Sequence, residues 1–316
     1  MPTKHILLRY GAGLIEFDVP DGNLAYVLGP RKTLPASDVS SEIVRALSNP
    51  IGHPRISKTV GPEDKVAILA DDITRPTPCD KLIPPILNEL NGAGIEDQNI
   101  LVIMALGTHR QLTKEEILRK VGKSVVERVE VVNHDYRDRR RLVCVGETSL
   151  GCPVWINKEF HEADFKIGLG NIIPHPFGWG GGAKIVQPGV SGEETTGYTH
   201  LMCSGLLHAE VIGQIDNPIR VEIERVAMKS GLNMIVNTVL NEDEQVVKVF
   251  AGDPIKAFRE GVKLAEQIYR PRVPRRVDIA VATSYPADID YWQGVKGAIA
   301  AARALQHTSN PVRLHT

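Results

Sequence analysis

Cysteine is scarce in this sequence. The 316 residues contain 4 cysteines, Cys79, Cys144, Cys152 and Cys203, and no C-x-x-C pair. This spacing argues against a disulfide scaffold and against a structural zinc site built on paired thiols. We therefore expect free thiols that are buried.

Net charge and long apolar runs are also lacking. The formal net charge is −1, which gives no electrostatic reason to expect a nucleic-acid or anionic-membrane surface. No apolar run approaches the length of a membrane span, and the N-terminal segment alternates like a strand instead of resembling a signal peptide. We predict a cytoplasmic protein whose partners are small molecules, with neither nucleic-acid nor membrane partners.

The sequence does contain a regular alternation of apolar runs and helical patterns. Its length, with 42% hydrophobic residues, allows a large core and favours two domains over one. Apolar runs at 65–70, 99–106 and 163–170 end in glycine or polar residues, and helical patterns occupy 79–94 and 114–122. Such runs suit strands that are buried on both faces of a parallel sheet. We predict an α/β fold with a doubly wound, mostly parallel sheet.

A domain boundary is predicted after residue 269. Segment 270–276, RPRVPRR, is basic, contains proline and lacks periodicity, as linkers do. We assign 1–269 to an N-terminal α/β domain, and predict a strand at 277–284 within a first βα unit of a second, apparently truncated α/β domain at 277–316. One βα unit cannot bury its own apolar faces, so we expect it to dock on the first domain or to be what remains of a second domain.

Three polar segments lie at or just beyond the ends of predicted strands and are candidates for a ligand site. They are 71–76 (DDITRP), 107–109 (GTH) and the glycine-rich segment 168–200. In open α/β sheets, ligands bind beyond the carboxyl ends of the strands, because loops converge there and helix N-termini point at the ligand. We therefore predict that the three segments converge.

The first segment also has a purely structural interpretation. Asp71 and Thr74 could simply cap the helix that follows. Arg75, beside a helix N-terminus, suits a carboxylate or a phosphate, although a surface ion pair would also account for it. Both interpretations stay open on these residues alone.

The histidines are judged by their positions. A single histidine such as His109 is by default structural or exposed, but His175 and His200 also fall in strand-end segments, which favours a shared function. His134 and His161 have no comparable context, and we expect both at the surface.

The glycine-rich segment holds one lysine, Lys184, between two of these histidines. The string GGGAK invites comparison with a phosphate-binding loop, which needs glycine before the lysine and a hydroxyl after it. Here Ala183 precedes the lysine and Ile185 follows it, so a nucleotide-hydrolase site is disfavoured. A lysine on a backbone that can be approached closely suits covalent attachment or an anion.

Several motifs in this order resemble the nickel-dependent lactate racemase family: DDITRP, LGTH, IPHPFGWGGGAKIVQPG, TGYTH and YWQGVK. The resemblance covers about residues 65–300 and is far more specific than any glycine pattern. It implies an isomerase that racemises or epimerises a lactate-like 2-hydroxy acid. It also implies a nickel-pincer nucleotide as cofactor, pyridinium-3,5-bisthiocarboxylic acid mononucleotide nickel, and cofactor-maturation proteins as partners.

The resemblance assigns the residues that hold this cofactor. In the family, the lysine of the glycine-rich loop forms a thioamide with the nucleotide, and Lys184 matches it. A downstream histidine is the protein ligand to nickel, and His200 matches it; a neutral imidazole beside sulfur donors suits nickel. Gly180, Gly181 and Gly182 would let backbone N–H groups approach the cofactor.

Catalytic roles follow from the same resemblance. Inverting the hydroxyl-bearing carbon requires that a hydride is removed, stored on the cofactor and returned to the other face. The hydroxyl proton must be accepted on either side, so two groups that titrate near neutral pH are needed. His109 and His175 match the two acid/base histidines of the family.

Substrate binding is assigned to two cations and an amide. Arg75 and Lys296 are expected to hold the substrate carboxylate. Gln293 lies three residues before Lys296, which places both on one helix face; a solvated helix face is the alternative. Asp72 and Thr74 match positions that contact the nucleotide or order the arginine.

Two functional classes are compatible with these residues. The first is the racemase or epimerase, in which Trp179, Tyr291 and Trp292 would set the preference among substrate side chains. The second is a protein of the same family that binds the cofactor but is catalytically incomplete.

Overall fold

The computed structural model describes residues 1–205, 211–285, 287–288 and 291–305. The strands of this part of the chain are β1 (Thr3–Tyr10), β2 (Gly13–Pro20), β3 (Val66–Asp71), β4 (Ile100–Ala105), β5 (Glu130–Asn133), β6 (Leu142–Glu147), β7 (Pro153–Asn157), β8 (Phe165–Asn171), β9 (Pro174–His175), β10 (Gly178–Trp179), β11 (Met234–Leu240) and β12 (Val246–Gly252). The helices are α1 (Val39–Ser48), α2 (Cys79–Gly92), α3 (Lys114–Val121), α4 (Lys123–Val126), α5 (Lys158–Glu162), α6 (Glu193–Met202), α7 (Pro218–Lys229), α8 (Lys256–Tyr269) and α9 (Tyr291–Ala302).

A six-stranded sheet forms the centre of the fold, with strand order β12-β11-β8-β3-β4-β5. The pairs from β11 through β8, β3 and β4 to β5 are parallel, and β12 pairs antiparallel with β11. All residues of β3, β8 and β11 are buried, because helices cover both faces. The predicted mostly parallel α/β sheet is confirmed.

Alternate residues of the central strands face two separate cores. Ile68 of β3 packs in the core that α1, α2 and α3 cover. Its neighbour Leu69 packs in the core that α5, α7 and α8 cover. This arrangement follows from the alternation of side chains along a strand, and it is the doubly wound arrangement predicted.

Helix α3 begins at a capping box. The Thr113 hydroxyl accepts a hydrogen bond from the Glu116 N–H (3.2 Å), and the Glu116 carboxylate accepts one from the Thr113 N–H (2.9 Å). The helix ends at Gly122, whose φ of 85° is unfavourable for other residues. In the last turn of the helix, Lys120 and Val121 are buried.

The strand predicted at 277–284 is wrong. In the described part of the chain this segment has no regular strand, and its one β contact is an isolated bridge between Val277 and Leu305. Ile279 and Val281 are 81% and 63% exposed. A strand needs a neighbour for its N–H and C=O groups, and the local apolar pattern did not reveal whether one was available. The assignment of 277–316 to a separate unit stays a prediction, and 306–316 lie outside the described residues.

Three of the four thiols behave as expected. Cys79, Cys152 and Cys203 are buried, whereas Cys144 is exposed, because it lies on the two-stranded ribbon β6–β7, where alternate side chains face outward. Among the described residues, no helix is both long and apolar enough to cross a bilayer.

Candidate active site

Three loops leave the carboxyl ends of the adjacent strands β4, β3 and β8. The first two loops meet directly, because His109, after β4, hydrogen-bonds through Nδ1 to the carboxylate of Asp72, after β3. The loop after β4 also meets the third, because the Gly107 N–H donates a hydrogen bond to the Gly189 carbonyl at 2.9 Å. The predicted convergence of the three segments is therefore observed.

The loop after β3 is organised by Asp72. Its Oδ1 accepts hydrogen bonds from the backbone N–H (2.8 Å) and the hydroxyl (2.5 Å) of Thr74. The same hydroxyl accepts a bond of 2.6 Å from the Arg75 guanidinium. Thr74 therefore links the carboxylate to the guanidinium, which fits the expectation that this pair orders the arginine.

The capping alternative for this loop is wrong. Helix α2 begins after Pro78, and the side chains of Asp71 and Thr74 are used elsewhere. Asp71 forms a buried ion pair with Lys120 at 2.8 Å, and Thr74 binds Asp72. The two polar residues thus belong to the loop and the strand end, and not to the helix N-terminus.

His109 is held in one tautomer. A carboxylate only accepts hydrogen bonds, so Nδ1 of His109 is protonated and donates a hydrogen bond to Asp72. Its Nε2 then accepts a bond of 3.0 Å from the Gln293 amide. Burial raises the pKa of Asp72, but its hydrogen bond from His109 and the charge of Arg75 outweigh burial, and its pKa lies well below the usual range. Asp72 is thus ionised, and Nε2 of His109 is the acceptor nitrogen of the ring, bonded here to Gln293.

Helix α9 reaches this site. Lys296 donates a hydrogen bond to the Gln293 amide oxygen, so the two residues share one face, as their spacing predicts. Gln293 is 2% exposed, which excludes a solvated face for it. The chain of contacts therefore runs from Lys296 through Gln293 and His109 to Asp72.

The ring of Phe177, in the third loop, contacts three of the predicted residues, of which His200 lies in α6. The ring centroid of Phe177 lies 5.0 Å from that of His175 and 5.0 Å from that of His200. Nζ of Lys184 lies 4.9 Å from the same centroid. These three side chains, separated in sequence by up to 25 positions, therefore surround Phe177.

The two imidazoles near Phe177 have different tautomers. Nδ1 of His175 accepts the Phe177 N–H at 3.1 Å, so the proton of the neutral ring is on Nε2. Nδ1 of His200 donates to the Thr196 carbonyl at 2.8 Å, so its Nε2 carries a lone pair. His200 therefore has a nitrogen suited to a metal, and His175 has a donor.

Burial and positive neighbours disfavour charge on these residues. Burial, followed by the charges of Arg75, Arg220 and Lys296, lowers the pKa of Lys184 well below its usual value. Burial, followed by Lys184 and Lys296, lowers the pKa of His175. Burial also lowers the pKa of His200. A neutral amine and neutral imidazoles are favoured.

The glycines of this loop are needed for its backbone conformation, and not for the approach of their N–H groups to a ligand. Gly181 and Gly182 have φ of 82° and 58°, which other residues rarely adopt. The N–H of Gly180 donates to the Ile173 carbonyl (2.7 Å), and that of Gly182 to Asn237 (2.6 Å). The expectation that these two N–H groups face a cofactor is therefore not met, since both are bonded within the protein.

Two buried cations next to the site were missed from the sequence. Arg220 of α7 is 0% exposed, donates to the Gly181 carbonyl at 3.0 Å and stacks on Phe258 at 3.7 Å. Lys120 of α3 lies under the loop after β3. Each lies on the apolar face of its helix. A charged residue on that face was the feature of the sequence that could have indicated a buried cation.

The remaining predicted residues differ in how exposed they are. Trp179 is 1% exposed and Tyr291 is 64% exposed, while the side chain of Trp292 lies outside the described residues. His134 is buried, contrary to expectation, because its Nε2 binds the Ser191 carbonyl at 3.1 Å; His161 is exposed, as expected. Across the described residues, no group of three His, Cys, Asp or Glu side chains converges as a metal site.

The chain is similar to known lactate racemases. Residues 10–213 match the family described as the lactate racemase N-terminal domain. The chain is 30% identical over 308 residues to the lactate racemase of Thermoanaerobacterium thermosaccharolyticum, covering 95% of this chain and 71% of that protein. It is 31% identical over 304 residues to the lactate racemase of Lactiplantibacillus plantarum, covering 93% and 70%.

Solved structures agree. The lactate racemase apoprotein from Thermoanaerobacterium thermosaccharolyticum matches with a TM-score of 0.82 and 29% identity, over 96% of this chain and 72% of that one. A Thermotoga maritima protein matches in fold with a TM-score of 0.62 and 23% identity, over 79% and 64%. The predicted α/β fold and isomerase class are confirmed: the chain belongs to the lactate racemase family.

Proposed function

We propose that this protein interconverts the enantiomers of a 2-hydroxy acid, with lactate as the reference substrate, using a nickel-pincer nucleotide attached to Lys184. The observation that carries the proposal is the position of Phe177, whose ring contacts Lys184, His175 and His200 together. These are the residues that would hold the cofactor and one of the two acid/base groups. Cofactor-maturation proteins as partners, and a cytoplasmic location, belong to the same proposal.

The residues present fit this cofactor. A lysine must be an uncharged amine to form a thioamide, and the lowered pKa of Lys184 favours that form. The bare Nε2 of His200 fits as a neutral nitrogen ligand beside sulfur donors. When bound, the cofactor supplies an acceptor and donor for a hydride.

The protein itself handles the hydroxyl proton. When a substrate hydroxyl replaces the Gln293 amide at Nε2 of His109, that nitrogen can accept the hydroxyl proton, and Asp72 stabilises the imidazolium that results. Nε2 of His175 carries a proton in the neutral ring and can donate a hydrogen bond to a substrate oxygen. His109 can therefore accept the hydroxyl proton and later return it, while His175 in this tautomer can hold the substrate oxygen by a hydrogen bond.

Two cations fit the substrate carboxylate. The Thr74 hydroxyl orients the Arg75 guanidinium, and Lys296 lies on the helix face that reaches His109 through Gln293. A carboxylate between the two cations would place its hydroxyl-bearing carbon near the imidazoles, which is the positioning that catalysis needs.

The test is to produce the protein together with the cofactor-building enzymes. We would measure the mass of the Lys184 peptide, the nickel content, and lactate interconversion by chiral chromatography. His109→Ala and His175→Ala should keep nickel and lose interconversion, whereas His200→Ala should lose nickel. His161→Ala, which changes an exposed histidine, is the matched control and should resemble the wild type.

Each result has a definite meaning. Equal nickel loss in all three site variants contradicts the separate roles. A wild-type protein with neither an adduct nor nickel contradicts the cofactor assignment. An adduct with nickel but no interconversion of any 2-hydroxy acid means that the protein binds the cofactor without turnover.

A further inference from the structure

A buried lysine lies beneath the loop that carries Asp72 and Arg75. The side chain of Lys120, in the last turn of α3, is 6% exposed. Its ammonium donates to the Asp71 carboxylate (2.8 Å), to the Arg75 carbonyl (2.8 Å) and to the Thr77 carbonyl (3.0 Å). An ammonium has three donors, and these three acceptors use all of them.

The acceptors connect both ends of one loop. Asp71 is the last residue of β3, and its other carboxylate oxygen accepts a bond of 2.5 Å from the Thr77 hydroxyl. Lys120 therefore ties the start, middle and end of segment 71–77 to a single point. Burial alone would lower the pKa of Lys120, but the charge of Asp71 outweighs burial and its pKa is raised. The lysine is thus charged, and it holds the loop as an ion.

We propose that Lys120 is a positioning residue for Arg75, and that it sets the position from which the guanidinium binds the substrate carboxylate. This proposal rests on the proposed function. Lys120 bonds the backbone of Arg75 and not its guanidinium, so it acts through the loop. Without these bonds, the Arg75 carbonyl would lose a buried partner and residues 75–77 would shift, while Asp72 keeps its own bonds to Thr74 and His109.

A second buried lysine provides a matched control. Lys166, at the amino end of β8, is as buried as Lys120 when the whole residue is counted, and its ammonium donates to the Ala163 carbonyl. It lies at the opposite edge of the sheet from the candidate site, because β3 and β8 are parallel. Replacing either lysine removes a buried charge, but only Lys120 bonds the loop that carries Arg75.

The experiment compares Lys120→Met with Lys166→Met in the cofactor-loaded protein. Lys120→Met should raise KM for both lactate enantiomers about tenfold with kcat within about twofold, because substrate binding is lost while the imidazoles stay in place. Lys166→Met should leave KM unchanged. Amide hydrogen exchange in 71–77, measured in the protein without lactate, should be faster in Lys120→Met alone.

A wild-type KM in folded Lys120→Met, or the same kinetic change in both variants, would overturn the proposal. If Lys120→Met does not fold, the double variant Asp71→Asn with Lys120→Met removes the unpaired buried carboxylate and is judged by the same criteria. The exchange measurement separates this proposal from the proposed function. A wild type without racemase activity would refute the function, while unchanged exchange in 71–77 would refute the role of Lys120.

Discussion

Replacing Asp72 with asparagine isolates the role of one carboxylate oxygen. In the wild type, Oδ1 accepts hydrogen bonds from Thr74, and Oδ2 accepts one from Nδ1–H of His109. If the amide oxygen of Asp72→Asn keeps the bonds to Thr74, its NH₂ group faces His109 and donates to Nδ1. The ring proton must then move to Nε2, and the lone pair that accepts the substrate proton is lost.

The size of the effect follows from two contributions. A hydrogen bond to a charged group contributes roughly 1.5–3 kcal/mol. The attraction between the imidazolium and a carboxylate adds up to about 4 kcal/mol at an effective dielectric constant near 20, and the partial exposure of His109 reduces this. A combined loss of about 2–4 kcal/mol lowers kcat/KM by about 30- to 1,000-fold.

The assay measures initial rates from each lactate enantiomer by chiral chromatography. Because the two enantiomers have equal free energy, kcat/KM must fall by the same factor in both directions, which provides an internal check. Thr74→Val is the control, since it removes the hydroxyl that orients Arg75 and leaves the His109–Asp72 bond in place. It should raise KM with little change in kcat.

The tautomer argument is refuted if Asp72→Asn, with intact nickel content, keeps kcat/KM within about threefold of the wild type. A change confined to KM, as expected for Thr74→Val, would mean that Asp72 acts only through Arg75.

Two further predictions concern stability. Gly182→Ala should destabilise the protein by roughly 2–4 kcal/mol, because a Cβ at φ 58° would lie 2.8 Å from the Phe258 ring. The control is Gly197→Ala in α6, where a Cβ meets open space, and this variant should be neutral or stabilising. Thermal unfolding measures both, and equal losses of stability would contradict the packing argument. Burial lowers the pKa of His134 from 6.5 to about 4. Between these two pH values the unfolded protein binds a proton at His134 that the folded protein does not, so the folded state loses stability as the pH falls from 6.5 to about 4. The loss is at most about 1.4 kcal/mol per pH unit. Urea unfolding at several pH values should show a shallower fall in His134→Gln, and an unchanged slope would exclude this histidine as the cause.

The local patterns of the sequence predicted the centre of the fold well. The runs that became β3, β4 and β8 are mostly apolar, a pattern that suits strands buried on both faces. The similar run at 277–284 failed, because its apolar residues are exposed and a strand depends on a partner that lies elsewhere in the chain. A strand also needs a neighbouring strand to pair with, and the apolar content of a segment does not show whether one is present.

The candidate site was only partly accessible from the sequence. The motifs indicated His109, His175, Lys184 and His200, and the structure brings them to one edge of the sheet. The bond between Asp72 and His109 spans 37 positions, and no local period encodes such a contact. A buried charge such as Lys120 is read as a solvated residue until its acceptors are known.

The cations around the loops have a consequence for how a substrate arrives. The whole chain has a formal net charge of −1, yet the charges of Arg75 and Lys296 both act on Lys184 and His175. Two cationic side chains, Arg75 and Lys296, therefore lie at the same end of the sheet. Low-dielectric walls focus the field of such charges and raise the local concentration of anions. A hydroxy-acid anion would be steered toward the loops before any contact forms, and added salt would slow its capture, although the overall charge of the molecule would suggest repulsion.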